Sequence, residues 1–161
     1  MVWLINALTG KIMASLAGHD ADVTFGMFSQ HDQNKHIVSS SADCTLKVWK
    51  PLQNECILTV RPRSDKKYHA TPILCFALHP EMPLAISGDE SGQVFACHIM
   101  TGEIVGCIGQ HKDSVESIII SASNQIAASA GMDSKILVFD LKDQNCAIKF
   151  CIEPTVYGGY S

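Results

Sequence analysis

Serine, histidine and aspartate are the residue types of nucleophilic acyl transfer, and His19, Ser39 and Asp43 could serve as base, nucleophile and orienting carboxylate. The trio does not stand alone. Aligning VSSSADCTLKVWK (38–50), ISGDESGQVFACH (86–98) and ASAGMDSKILVFD (128–140) places a serine, an Asp or Ser four residues later, and a large or apolar residue six residues after that. The triplets are Ser39, Asp43 and Trp49; Ser87, Ser91 and Cys97; and Ser129, Asp133 and Phe139. A histidine precedes each middle position, His19, His69 and His111, by 24, 22 and 22 residues. A catalytic constellation occurs once in a chain, whereas a spacing that recurs and decays belongs to the architecture, so a hydrolase reading is set aside.

The elements that must position these residues repeat with them. The middle positions are 48 and then 42 residues apart, and the turn NALTGKIMASLAGH (6–19) matches HIMTGEIVGCIGQH (98–111). Period-two alternation marks strands at 23–28, 36–40, 45–49 and 56–60, then 73–78, 84–88, 93–98 and 103–108, then 115–120, 125–129, 135–140 and 146–151. Four antiparallel strands per unit of this length form one blade of a β-propeller. The expected fold is therefore all-β, a propeller segment of about three and a half four-stranded blades from a seven-bladed ring. Residues 1–17 supply the last two strands of a half blade, with Ile5 and Asn6 in the Trp and Asp places; 18–62, 63–109 and 110–151 form blades 1 to 3; and 152–161 form an irregular tail. Propellers close with four to eight blades. The expectation is thus a segment of a longer protein, or two copies whose open ends cover each other.

Composition fits stacked sheets: 47% of residues are apolar and only 17% charged. The net charge of −4 gives no footprint for direct nucleic-acid binding, and the opening MVWLINALTG has no signal-peptide pattern. No membrane contact is expected, and the compartment expected is cytoplasmic with a nuclear pool allowed. The seven cysteines lie at positions without Cys-x-x-Cys spacing, mostly in apolar runs, and read as buried reduced thiols. The cluster HDQNKH (31–36) matches no metal-ligand spacing, and no glycine-rich phosphate loop or Gly-x-Ser-x-Gly elbow is present. No metal, cofactor or catalytic residue is expected.

The His, Ser, Asp and Trp spacing resembles the WD-repeat family, where these residues form a hydrogen-bonded tetrad tying the loop before a blade to its inner strands. The resemblance implies structural roles for His19, Ser39, Asp43 and Trp49, for His69 and Ser87, and for His111, Ser129 and Asp133. Only the first unit carries all four members; with Ser91 and Cys97 in the Asp and Trp places, the second blade is expected to lack a network and to be the least rigid. The usual Gly after the turn Asp survives as Gly92, while Cys44 and Ser134 replace it elsewhere, which argues against a glycine-type turn there.

Longer phrases, among them VWLINALTGKIMASLAGHDADVTFGMF, LKVWKPLQNECILTVRP, HPEMPLAISGDESGQVFACHIMTGEIVGCIGQHKDSVESI and AASAGMDSKILVFDL, together resemble the angio-associated migratory cell protein branch of that family. That branch includes a yeast chaperone escorting a large-subunit ribosomal protein. The resemblance implies a non-enzymatic protein-binding module whose rim holds a partner, such as a basic ribosomal protein segment. The rim residues would be Asp20, Asp22, Ala42, Glu90, Lys112, Asp113 and Met132. Relatives of the branch carry an acidic stretch ahead of the blades, which this chain lacks. A general scaffold or adaptor in signalling or cell migration is the alternative. The basic cluster RPRSDKKYH (61–69) reads as a solvated inter-blade loop.

Overall fold

A computed structural model describes residues 1–30, 35–121, 125–142 and 146–153. Every strand expected from the alternation is present, with ends displaced by at most two residues. They are β1 (Val2–Ile5), β2 (Ile12–Leu16), β3 (Val23–Phe28), β4 (Ile37–Ser41), β5 (Leu46–Lys50), β6 (Glu55–Val60), β7 (Ile73–Leu78), β8 (Leu84–Asp89), β9 (Gln93–His98), β10 (Ile104–Gln110), β11 (Val115–Ser121), β12 (Ile126–Gly131), β13 (Ile136–Asp140) and β14 (Ile148–Ile152). β1 pairs with β2, and β3 to β6, β7 to β10 and β11 to β14 form three four-stranded antiparallel sheets in chain order.

Because the side-chain period along a strand is two, each sheet has two faces to bury, and these sequences are apolar on both. Alternate residues of β7 show it: Phe76 and Leu78 join Val38, Val48 and Phe95 in the layer between the first and second four-stranded sheets. Cys75 and Ala77 join Val115, Ile118, Leu137 and Phe139 in the next layer. A third layer sets Ala14 and Leu16 against Ile37 and Trp49, with Val2 and Leu4 beside them. The blades are held by this face-to-face packing. It is tightest where glycine replaces a side chain: a Cβ on Gly88 would meet Val115 at 2.5 Å, and one on Gly109 would meet the Phe139 ring at 2.8 Å.

The turns between the second and third strands of each blade share one geometry. Cys44 N–H donates to Ser41 O, Gly92 N–H to Asp89 O and Ser134 N–H to Gly131 O, at 3.1–3.2 Å. All three residues have left-handed φ, 64° at Cys44, 85° at Gly92 and 61° at Ser134. The substitution of Cys and Ser therefore leaves the glycine-type turn intact, contrary to the sequence expectation. The flanking strand ladders and the Asp bonds described below outweigh the local steric cost.

The cysteines divide by strand position. Cys75, Cys97 and Cys146 are buried, whereas Cys56, Cys107 and Cys151 are exposed. These three lie on β6, β10 and β14, the outermost strand of each blade, so the expectation of buried thiols fails at the perimeter. Of the HDQNKH cluster, residues 31–34 lie outside the described residues, as do 154–161 of the expected tail.

Candidate functional site

In the first blade, Asp43 sits in the turn after β4, and His19 in the segment leading into β3. His19 Nδ1 lies 2.8 Å from Asp43 Oδ2, Ser39 Oγ lies 2.7 Å from His19 Nε2, and Trp49 Nε1–H donates to Ser39 Oγ at 2.8 Å. The indole nitrogen can only donate, so the Ser39 hydroxyl accepts from Trp49 and gives its proton to His19 Nε2. His19 then carries its own proton on Nδ1, directed at Asp43. The other carboxylate oxygen accepts from Thr45 N–H and Oγ1–H, and Oδ2 also accepts Asp20 N–H at 3.0 Å. Burial pushes the Asp43 carboxyl up, but the bonds from Thr45, His19 and Asp20 overcome it and hold the group at about 2. Burial lowers the His19 pKa, with Asp43 opposing.

The second blade corrects the sequence alignment. His69 is fully buried, and its Nδ1 lies 2.7 Å from Asp89 Oδ2, while Ser87 Oγ lies 2.8 Å from its Nε2. Asp89, and not Ser91, supplies the carboxylate. It stands two residues earlier, at the end of β8, where it takes the place of Ser41 in the first blade, and its Oδ1 accepts from Ser91 N–H, Ser91 Oγ–H and Gln93 N–H at 2.8–3.0 Å. Burial raises the Asp89 carboxyl, and the bonds from His69, Ser91 and Gln93 bring it below its ordinary value.

The fourth member is also replaced. Cys97 stands where Trp49 stands in the first blade, and its small side chain leaves room for the Tyr68 phenol, 3.1 Å from Ser87 Oγ and 3.9 Å from Cys97 Sγ. With the Ser87 proton directed at His69, the phenol donates to Ser87. Tyr68, His69 and Phe95 stack edge to face with centroids 4.6–5.3 Å apart. The expectation that this blade cannot form a four-membered network is thus overturned, and its His and Asp are the most deeply buried pair of the three.

In the third blade His111 Nδ1 lies 2.9 Å from Asp133 Oδ1, and Ser129 Oγ lies 2.8 Å from His111 Nε2. Lys112 N–H and Lys135 N–H donate to the same carboxylate. Burial raises Asp133, but Lys112, His111 and Lys135 hold it at about 2. Phe139 fills the Trp place without a donor and is buried. Gly131 makes this possible: a Cβ there would meet His111 Nδ1 at 2.5 Å.

These clamps also set the rim. Ala42 N–H donates to Asp22 O, Glu90 N–H to Pro72 O and Met132 N–H to Ser114 O, each at 2.8–3.0 Å. Each turn is so fixed against the loop entering its own blade. His111 N–H donates to Gly92 O, and Gln110 Nε2–H to Ser91 O, which joins the second turn to the third loop. Asp20, Asp22, Glu90, Lys112, Asp113 and Met132 are exposed on this edge, and Ala42 is half-buried. Ser39, Ser87 and Ser129 are sealed inside, so no substrate carbonyl reaches these three hydroxyls.

A family model described as WD domain, G-beta repeat matches residues 10–50 and 102–140. The chain belongs to the WD40-repeat family. Pre-mRNA-processing factor 19 of the mouse, Mus musculus, is 27% identical over 153 residues, covering 92% of this chain and 28% of that protein. Autophagy-related protein 16 of Arabidopsis thaliana is 25% identical over 141 residues, covering 88% of this chain and 26% of that protein. This WD40 chain therefore spans little more than a quarter of these curated relatives. Among solved structures, U3-55K superposes with a TM-score of 0.76 at 19% identity, covering 88% of this chain and 42% of that one. The WD40 β-propeller domain of Doa1 gives 0.73 at 20% identity, covering 91% and 45%. At such identities the structural matches speak for the fold, a partial WD40 propeller of about three and a half blades.

Proposed function

We propose that this WD40 module holds a basic protein segment on its loop-bearing rim, in the manner of an escort for a large-subunit ribosomal protein during ribosome assembly. Supporting this reading is the rim charge: Asp20, Asp22, Glu90 and Asp113 are exposed along one edge, with Lys112 as the cation beside them. Carboxylates so placed raise the local concentration of Lys and Arg and speed their capture. The cytoplasm, with a nuclear pool, is the compartment this role requires. The exposed Met132 favours a second reading, an adaptor in signalling or cell migration that binds through apolar contacts.

Reversing Asp20, Asp22 and Asp113 to lysine distinguishes the two. Titration with Lys/Arg-rich peptides from the N-termini of large-subunit ribosomal proteins should show binding that weakens with salt. The triple variant should weaken it roughly tenfold, at about 0.5 kcal/mol per altered rim charge. Unchanged binding and an unchanged salt slope would remove the rim reading, and binding lost on Met132→Ser but insensitive to salt would favour the adaptor.

A further inference from the structure

The perimeter of the second blade carries a groove of about 520 Å³, in the blade flanked on both sides by the first and third and so clear of the two ends of the chain. Asp65, Lys66 and Lys67 form one wall and β10 the other, with the buried Phe95 and Ile104 between them. Val105 and Cys107 are exposed on the β10 side. The loop wall is fixed in place. Arg63 N–H donates to Lys66 O at 3.0 Å and closes the loop tip, and Lys66 Nζ–H donates across to Ile104 O at 2.7 Å. The Arg63 guanidinium lies beside Gly102, in the turn between β9 and β10, and Tyr68 and His69 hold the far end of the loop in the clamp.

The charges here are unevenly matched. The loop brings Arg61, Arg63, Lys66 and Lys67 against two carboxylates, Asp65 and Glu103. Lys66 is engaged, with Glu103 Oε1 3.8 Å from its ammonium. Arg63 and Lys67 are exposed and make no ion pair or side-chain hydrogen bond among the described residues. On a chain whose net charge is −4, two unpaired cations beside the exposed Val105 form a local attraction for carboxylates that carry an apolar neighbour. β10 is also the edge strand of its sheet, but its register shifts between Ile104 and Gly106 and between Cys107 and Gly109. Bulges so placed interrupt the row of outward backbone groups, so a long added strand finds no continuous ladder and recognition falls to side chains.

We infer that this groove receives an acidic segment of a partner protein, its carboxylates meeting Arg63 and Lys67 and an apolar side chain resting on Val105. Nucleic acid fits the site less well. Single strands are held by stacking bases on open aromatic faces, whereas Tyr68 and Phe95 are 4% and 2% exposed. The groove lies on the perimeter and not on the rim, so the inference goes beyond the rim reading and does not depend on it.

Fluorescence anisotropy of the 161-residue chain with a fluorescein-labelled peptide of Glu and Asp pairs separated by single leucines tests this, with labelled oligouridylate as the second probe. The peptide should bind, and the double variant Arg63→Glu, Lys67→Glu should weaken it roughly tenfold and flatten its dependence on salt. Val105→Ser should weaken it roughly threefold at every salt concentration, because an apolar contact is lost. All three side chains are exposed, so circular dichroism should show the blades intact. Bound peptide should also shield Cys107 from N-ethylmaleimide while Cys56 and Cys151, exposed on the other blades, stay reactive. No binding of the peptide, binding unchanged in either variant, an unshielded Cys107, or oligouridylate bound as tightly as the peptide would each overturn the proposal.

Discussion

Replacing Asp89 with alanine tests whether the second blade is clamped as the others are. The Asp89 carboxylate is fully buried and receives His69 Nδ1–H at 2.7 Å, Ser91 Oγ–H at 2.8 Å, Gln93 N–H at 2.9 Å and Ser91 N–H at 3.0 Å. Its removal strands the imidazole N–H in a site closed to water, while the two backbone donors beside the turn recover partners from solvent. A stranded buried donor costs about 1–3 kcal/mol, and the bonds to the carboxylate from Ser91 and Gln93 are lost with it. We expect Asp89→Ala to lose about 2–4 kcal/mol, a large part of the 5–15 kcal/mol typical of a domain. Ser91→Ala removes one donor from a carboxylate that keeps three, and should lose less than about 1 kcal/mol. Should the alanine variant not fold, Asp89→Asn keeps an acceptor for His69 and should lose about 1–3 kcal/mol. Urea unfolding followed by tryptophan fluorescence would show these as midpoint shifts at constant slope. A Ser91→Ala variant as damaged as Asp89→Ala would refute the reasoning and restore Ser91 as the clamp residue.

Two further outcomes follow from the same networks. The lowered pKa values of His19 and His69 mean that the unfolded chain binds protons first, so their contribution is whole above about pH 6.5 and falls as pH drops through the folded values. The carboxyls of Asp43 and Asp133, held at about 2 against 3.8, contribute above that ordinary value and lose the contribution as pH falls toward 2. The melting temperature should thus decline in two stages on acidification, and a flat profile from pH 7 to 4 would contradict the histidine stage. At Ser134, where φ is 61°, glycine removes steric cost in the left-handed turn, and Ser134→Gly should raise stability by about 0.5–1 kcal/mol in urea titration.

Alternation and the recurrence of Ser, His and Asp made the strands and blades legible from the sequence, because both depend on short-range spacing. The second network escaped that logic. Its carboxylate moved by two residues along the chain, from the turn to the strand end, which preserves the side chain's reach to His69 while breaking the alignment. Its fourth donor came from the residue before the histidine, since the volume freed by Cys97 admits the Tyr68 ring. A missing Trp beside a Tyr-His pair was the available signal. Three-dimensional equivalence survived where positional equivalence did not. The half-buried Gly131 was likewise illegible, because its role is to leave space for an imidazole contributed twenty residues earlier.

The position of the basic loop strengthens the charge argument for the rim. Residues 61–69 carry Arg61, Arg63, Lys66 and Lys67, enough positive charge to neutralise the acidic edge if the loop folded over it. It is anchored at both kinds of contact that prevent this. Tyr68 and His69 are sealed into the second blade's clamp, and Lys66 Nζ–H donates to Ile104 O at 2.7 Å on the outermost strand, with Glu103 3.8 Å away. The positive charge is therefore tied to the perimeter of the second blade, away from the turn that carries Glu90. Asp20 and Lys112, by contrast, lend their backbone N–H groups to Asp43 and Asp133, so the loops they lie in are fixed by the clamps beneath them. The network that first suggests a catalytic triad thus does its work by holding the loops of the rim in place.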